Sequence, residues 1–218
     1  MDVQTALKTR HSARAYSSQP LPEDVVQAIL LDAREAPSWS NTQPWKVAVA
    51  HGASCDALRQ DLVAAAATRV PEPEVPQLFE YPPLLQARRR ATGFGLYEVL
   101  GIDRADKEAR AKQFEKNFAL FDAPCAVFLF AHRALQGYAM LDCGCFLQSL
   151  LLSATARGVQ SCAQAVLASF PDLVRARFEV GDDWALVCGV ALGYATDAPV
   201  NRFRPARASL DELVAKPR

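Results

Sequence analysis

The chain has 218 residues, half of them hydrophobic and 22% charged, and its 24 basic and 24 acidic side chains cancel to a formal net charge of zero. That length suits one domain with a sizeable core, and that composition excludes a largely disordered chain. The balanced charge argues against broad binding to nucleic acid or a membrane surface, so any anion site must be a local basic patch.

The N-terminus, Met1-Asp2-Val3-Gln4, lacks a basic region followed by an apolar run, so no secretory signal is expected and a cytoplasmic location is. Cys55, Cys125, Cys143, Cys145, Cys162 and Cys188 include no C-x-x-C pair, and they read as reduced residues acting mostly as small hydrophobes. No metal site is expected. Cys143 and Cys145 lie two apart on a helix and do not face one another, and His11, His51 and His132 show no ligand spacing.

In chain order, a short helix is predicted over residues 3–9. Leu21-Pro22-Glu23-Asp24 opens a second one, with proline and acids suited to the first turn. Val25, Ile29 and Ala33 repeat on one face, and the helix should stop before Pro37. A strand follows at Lys46-Val47-Ala48-Val49-Ala50, then a third helix capped by Ser54 and running to about Thr68. Residues 70–83 hold five prolines, with Phe79 and Tyr81. They read as an excursion within a single domain spanning residues 1–218. A linker between two domains is the rival reading.

Residues 84–100 read as helix, and Asp103 as the cap of another running to about Phe121. A strand is predicted at residues 125–131. Residues 138–157 form the longest apolar helix, apolar nearly all round as a buried helix is. Asp142, Gln148, Ser149, Ser153 and Arg157 interrupt it, which argues against a membrane span. A short strand at residues 159–165 and a helix from Ser169 to about Phe178 come next. A core strand follows at residues 184–194, then a last helix opened by the S-x-x-E pattern of Ser209 and Glu212. The elements sum to an α+β fold around one central sheet of four or five strands.

Two segments carry chemistry. In Arg10-His11-Ser12-Ala13-Arg14, two arginines flank an imidazole and a hydroxyl, and an arginine fork suits phosphate. A solvated basic turn is the alternative. In Pro37-Ser38-Trp39-Ser40-Asn41-Thr42-Gln43-Pro44-Trp45, two prolines stiffen a connection rich in hydrogen-bonding groups and flat apolar faces. A turn with a packed Trp is the alternative there.

Together these segments resemble the FMN-dependent nitroreductase family, and the pair is far more specific than either half. Gly193-Tyr194-Ala195, followed by Asn201-Arg202-Phe203-Arg204-Pro205-Ala206-Arg207, resembles that family's C-terminal basic segment. Residues 158–165 resemble the stretch that passes the flavin ring. Leu100-Gly101-Ile102 and Asn117 through Pro124 resemble a subgroup of nitroaryl and nitrobenzoate reductases.

The resemblance implies a mixed central sheet flanked by helices and an intertwined homodimer. It implies an FMN enzyme that takes hydride from NADH or NADPH at flavin N5 and passes it, ping-pong fashion, to a nitroaromatic or similar flat small-molecule acceptor. Same-fold enzymes acting on quinones, enones, halogenated phenols or flavin itself are the alternative, and a flavin-free binding dimer is a more distant one. Arg10, Ser12 and His11 would hold the FMN phosphate, helped by Arg204 or Arg207. Ser38, Trp39, Ser40, Asn41 and Gln43 would serve the flavin of the opposite subunit. Trp39 is bulkier than the residue often found there. Arg14 would face the ring's pyrimidine edge, with Asn117, or Lys116 if the register slips, as a further donor. Gln164 and Ala165 would present backbone N–H to N5. No side chain is assigned as catalytic acid or base.

Overall fold

The computed structural model describes residues 1–76 and 80–217. Among these residues its eight α-helices are α1 (Val3–Thr9), α2 (Glu23–Ala33), α3 (Ala53–Thr68), α4 (Pro83–Val99), α5 (Lys107–Glu115), α6 (Gln136–Ala156), α7 (Pro171–Arg175) and α8 (Leu210–Leu213). Its strands are β1 (Trp45–His51), β2 (Cys125–His132), β3 (Gln160–Gln164) and β4 (Trp184–Gly193). The sheet order is β1-β2-β4-β3.

Every pairing of these strands is antiparallel. The mixed character expected for the sheet is therefore confined, among the described residues, to one isolated parallel bridge between Ser12 and Ser161. The reason lies in the order of the strands: α6 carries the chain from β2 past one strand position to β3, and β4 then inserts between the two, running opposite to both.

Successive strand side chains point to opposite faces, and β2 uses both. Ala126, Phe128 and Phe130 join Leu58 and Leu62 of α3, Phe118, Phe170 and Leu186 in one buried cluster. Val127, Leu129 and Ala131 join Val26 and Ile29 of α2, Phe146 and Leu150 of α6 and Val190 in the other. This two-sided burial is why β2 and β4 read as nearly unbroken apolar runs.

α6 is long and apolar enough to cross a membrane by composition alone. It instead buries Ala139, Cys143, Phe146, Leu150 and Ala154, spaced three and four apart, against the sheet and α2. Its opposite side leaves Gly137, Tyr138, Leu141, Gly144 and Gln148 exposed.

Four predicted boundaries differ. The cap of α5 is Asp106, whose carboxylate accepts the Ala109 N–H at 2.9 Å, while Asp103 accepts the Ala105 N–H in the preceding turn. α5 also ends at Glu115 rather than near Phe121, because Leu120, Phe121 and Asp122 adopt left-handed φ of 56°, 52° and 65°, which a right-handed helix excludes. Ser54 does not cap α3. Its hydroxyl accepts the His51 N–H and donates to the His51 carbonyl, and α3 begins after Gly52 at φ 54°. The helix predicted from Ser169 to about Phe178 is the shorter α7, and a 3-10 turn over Ala165–Ser169 precedes it.

Before Pro83, which begins α4, the proline-rich stretch contains no helix among its described residues, and Phe79 lies outside them. It is fastened to the sheet by Glu74, whose carboxylate accepts the Leu186 N–H at 2.7 Å and pairs with Arg175 at 3.0 Å and with Arg133. The S-x-x-E pattern forms both arms of a capping box between Ser209 and Glu212, as expected.

Candidate active site

The N-terminal basic segment leaves α1 and lies along the β3–β4 end of the sheet. The Ala13 N–H donates to the Ser161 carbonyl at 3.0 Å and the Ser17 N–H to the Tyr194 carbonyl at 2.8 Å. Tyr16 is buried over β4, where Gly193 leaves room for it. A Cβ at Gly193 would stand 2.6 Å from Pro124 and 3.1 Å from the Tyr16 ring.

The C-terminal basic segment reaches the same place by a 3-10 turn, Pro199–Arg202. Its Asn201, only 7% exposed, binds the N-terminal segment directly. Asn201 Oδ1 accepts the Arg14 N–H at 2.7 Å, and its amide donates to the carbonyls of Ala15 at 2.7 Å and Thr196 at 2.9 Å.

Between the two segments lies a cleft of about 330 Å³ walled by Arg10, His11, Ser12, Arg14, Arg204 and Arg207, and also by Leu7, Lys8, Thr92 and Phe203. Sequence reasoning selected the first six. It missed Lys8, which follows Leu7 on the last turn of α1, Phe203, which stands beside Arg204, and Thr92, which only the folded chain brings here on α4.

The electrostatics of the cleft are one-sided. No acid lines it, and no ion pair among the described residues involves Lys8, Arg10, Arg14, Arg204 or Arg207. Arg14, Arg204 and Arg207 spend donors on nearby carbonyls, which leaves the charges uncompensated. Partial burial lowers the Arg10 pKa, and the positive charge of Arg207 lowers it further. An arginine remains charged under such a shift. Partial burial also lowers the His11 pKa, with Arg204, Arg10 and Arg14 adding to the effect. Crowded cations without an acid are an arrangement that a phosphate dianion relieves.

Gln164 and Asn117 meet at the end of β3. Gln164 is 4% exposed, and its amide N–H groups donate to the Asn117 carbonyl at 2.9 Å and side-chain oxygen at 3.2 Å. Its own Oε1 is buried with no partner among the described residues. An orphaned buried acceptor in a native site calls for a donor from a ligand or water. The Asn117 amide is turned back to the Phe114 carbonyl at 2.8 Å. Ala165 begins the 3-10 turn that follows.

The fold does not bring residues 38–43 to this cleft. Ser40, Asn41 and Gln43 stand exposed between α2 and β1, in left-handed conformations with φ of 51°, 55° and 48°. Ser38 Oγ accepts the Gln43 N–H at 2.9 Å, and the Gln43 amide reaches the Asn41 carbonyl and side chain at 3.3 Å. The loop is thus preformed and turned outward. Among the described residues no group of three or more His, Cys, Asp or Glu side chains is placed to hold a metal.

The model of the nitroreductase family matches residues 7–194. The chain belongs to the nitroreductase family. Nitroreductase NfnB of Mycolicibacterium smegmatis is 37% identical over 210 residues, covering 94% of this chain and 88% of the relative. The 4-nitrobenzoate reductase of Pseudomonas putida is 33% identical over 211 residues, covering 94% and 91%. Among solved structures, FMN-dependent nitroreductase NfnB from Mycobacterium smegmatis in complex with NADPH superposes with a TM-score of 0.92 at 35% identity over 100% of both chains. Membership accounts for the fold: the α+β architecture around a four-stranded sheet is that of these nitroreductases.

Proposed function

We propose that this nitroreductase-family chain is an FMN-dependent oxidoreductase that uses NADH or NADPH to reduce nitroaromatic and similar flat small-molecule acceptors. The observation that carries the reading is the acid-free cationic cleft, built from both ends of the chain. It is supported by relatives described as FMN-dependent, one of them solved with NADPH.

The residues present fit the flavin. Arg10 and Ser12 hold the phosphate from one side, and Arg204 or Arg207 from the other, as charge-assisted hydrogen bonds favour. Neutral His11, anchored through Nδ1 to the Thr9 carbonyl at 3.0 Å, orders the turn between them. Arg14 sets a positive charge toward the ring's pyrimidine edge. Gln164 and Ala165 border the ring, and the unpartnered Gln164 Oε1 is available to a donor there. Bound FMN supplies the two-electron relay from nicotinamide to acceptor, which is the cofactor's chemistry rather than the protein's. The chain's part is to bind and orient, so no side chain is assigned as proton donor.

The active form is a homodimer, in which residues 38–43 complete the partner's site. The outward turn of that loop and the exposed apolar side of α6 at Tyr138 and Leu141 support this. Residues 1–218 act as one domain, with the proline-rich stretch as an excursion. The free cysteines suit a reducing cytoplasm.

The test is purification followed by an absorbance spectrum and an acceptor panel. Flavin absorbance released on denaturation, with NAD(P)H-dependent reduction of nitrobenzoate exceeding that of quinones and enones, is the expected result. A colourless protein that fails to take up FMN overturns the cofactor. A yellow protein that prefers quinones overturns the acceptor class.

A further inference from the structure

We infer that Asp142, together with Tyr138 one helical turn away, is a positioning residue for the flavin site: it clamps residues 38–43 in the strained conformation that serves the cofactor. The inference rests on the FMN reading above.

Asp142 is an acid in the middle of an apolar helix, and it is only 6% exposed. A buried carboxylate is unfavourable unless it is hydrogen-bonded. Among the described residues no ion pair reaches it. Its two oxygens converge instead on one donor, the Trp39 N–H, each at 3.2 Å. That N–H opens a 3-10 turn whose preceding residue, Ser38, offers it no side-chain cap. Asp142 therefore caps the turn from another element, 103 residues away in sequence.

Tyr138 and Asp142 are four apart on α6, so their side chains are neighbours on one face. Tyr138 meets the Trp39 indole edge-on, with ring centroids 3.9 Å apart. Backbone and ring of Trp39 are thus held by one helix face, although Trp39 and Tyr138 are 55% and 57% exposed.

The grip falls where the backbone needs it. Ser40, Asn41 and Gln43 are non-glycine residues at positive φ, a conformation that persists only where the surroundings enforce it. Within the loop, Ser38 Oγ and the Gln43 amide supply local ties. None of these ties the loop to another element. Asp142 and Tyr138 tie it to α6.

The experiment labels the protein with 5-fluorotryptophan, assigns Trp39 by the Trp39→Phe variant, and compares wild type with Asp142→Ala, Asp142→Asn and Tyr138→Leu. It records the 19F resonance without flavin and the FMN dissociation constant. Asp142→Ala should move the Trp39 resonance toward free indole and weaken FMN on the order of tenfold, as the loss of a charged hydrogen bond does. Asp142→Asn keeps an oxygen acceptor and should restore both readouts. Tyr138→Leu, which keeps an apolar side chain on the α6 face proposed for the dimer, should move the resonance and weaken FMN severalfold. An unmoved resonance in both Asp142→Ala and Tyr138→Leu overturns the clamp. A moved resonance with unchanged FMN affinity overturns its link to the site. Failure of the wild type to bind FMN would overturn the proposed function, while the resonance would still decide the clamp.

Discussion

Asn201 Oδ1 accepts the backbone N–H of Arg14 at 2.7 Å. This contact joins two basic segments 187 residues apart, and the amide's other hydrogens fix the same join through Ala15 and Thr196. Asn201→Leu would leave the Arg14 N–H and the Thr196 carbonyl without this partner in a part-buried place, while the Ala15 carbonyl keeps the Thr196 N–H at 3.1 Å. Each unmatched group costs about 1–3 kcal/mol. The variant should lose about 2–4 kcal/mol and melt roughly 5–15 °C lower. Thermal unfolding of the apo protein measures this. A wild-type melting temperature would show that the segments align without Asn201.

Arg10 lies in the cleft among cations with no acid, so its charge is available to a phosphate. Arg10→Ala should weaken FMN by about 1.5–3 kcal/mol, or about 10- to 150-fold. Fluorescence titration of the apo protein with FMN reads this directly, and unchanged affinity removes Arg10 from the site.

Arg14 is held at its backbone by Asn201 and turns one guanidinium N–H to the Ser12 carbonyl at 3.2 Å. A positive charge near the pyrimidine edge favours added electrons, so Arg14→Gln should lower the two-electron potential. About 30 mV corresponds to 1.4 kcal/mol for two electrons, and a partly solvated pair is worth at most a few kcal/mol. A drop of some tens of millivolts is expected, with FMN binding weakened less than in Arg10→Ala. If a redox titration gives the wild-type potential while FMN is lost wholesale, Arg14 is a phosphate ligand.

The exposed side of α6 predicts the assembly. Leu141 is 62% exposed, and nothing lies within 4 Å of a Cβ built at Gly144, so a charge there leaves the protomer fold intact. Leu141→Glu should shift sedimentation at low micromolar concentration from dimer to monomer and lower FMN occupancy. A stable dimer in that variant places the interface elsewhere.

His11 sets a pH dependence. Its folded-state pKa lies below the ordinary value, first because of burial, so the unfolded chain binds the proton more readily. The linked stability is complete above the unfolded value of about 6.5 and is lost as pH falls below it. Denaturant unfolding of the apo protein should therefore weaken from pH 7 to pH 5.5. His11→Gln should flatten that slope, and an identical slope in the variant would show that His11 does not titrate there.

The amino-acid sequence determined what depends on neighbours along the chain. Apolar spacing placed the helices and strands, Ser209 and Glu212 marked α8, and the paired motifs at Arg10 and Pro37 named the family. It also supplied every cation of the cleft except Lys8. Tertiary structure decided what depends on distant partners. Asp106 rather than Asp103 caps α5 because Asp103 is taken by the Ala105 N–H in the preceding turn, and left-handed φ at residues 120–122 keeps the helix from running on to Phe121. The sheet pairs are antiparallel because β4 inserts between β2 and β3, running opposite to both, which local periodicity does not encode. Asn201 reads in sequence as one polar residue beside two arginines, and Asp142 as an interruption in an apolar helix. Each gains its role only when folding buries it beside a backbone group more than a hundred residues away. Burial is what turns an ordinary hydrogen bond into one the fold cannot leave unmade.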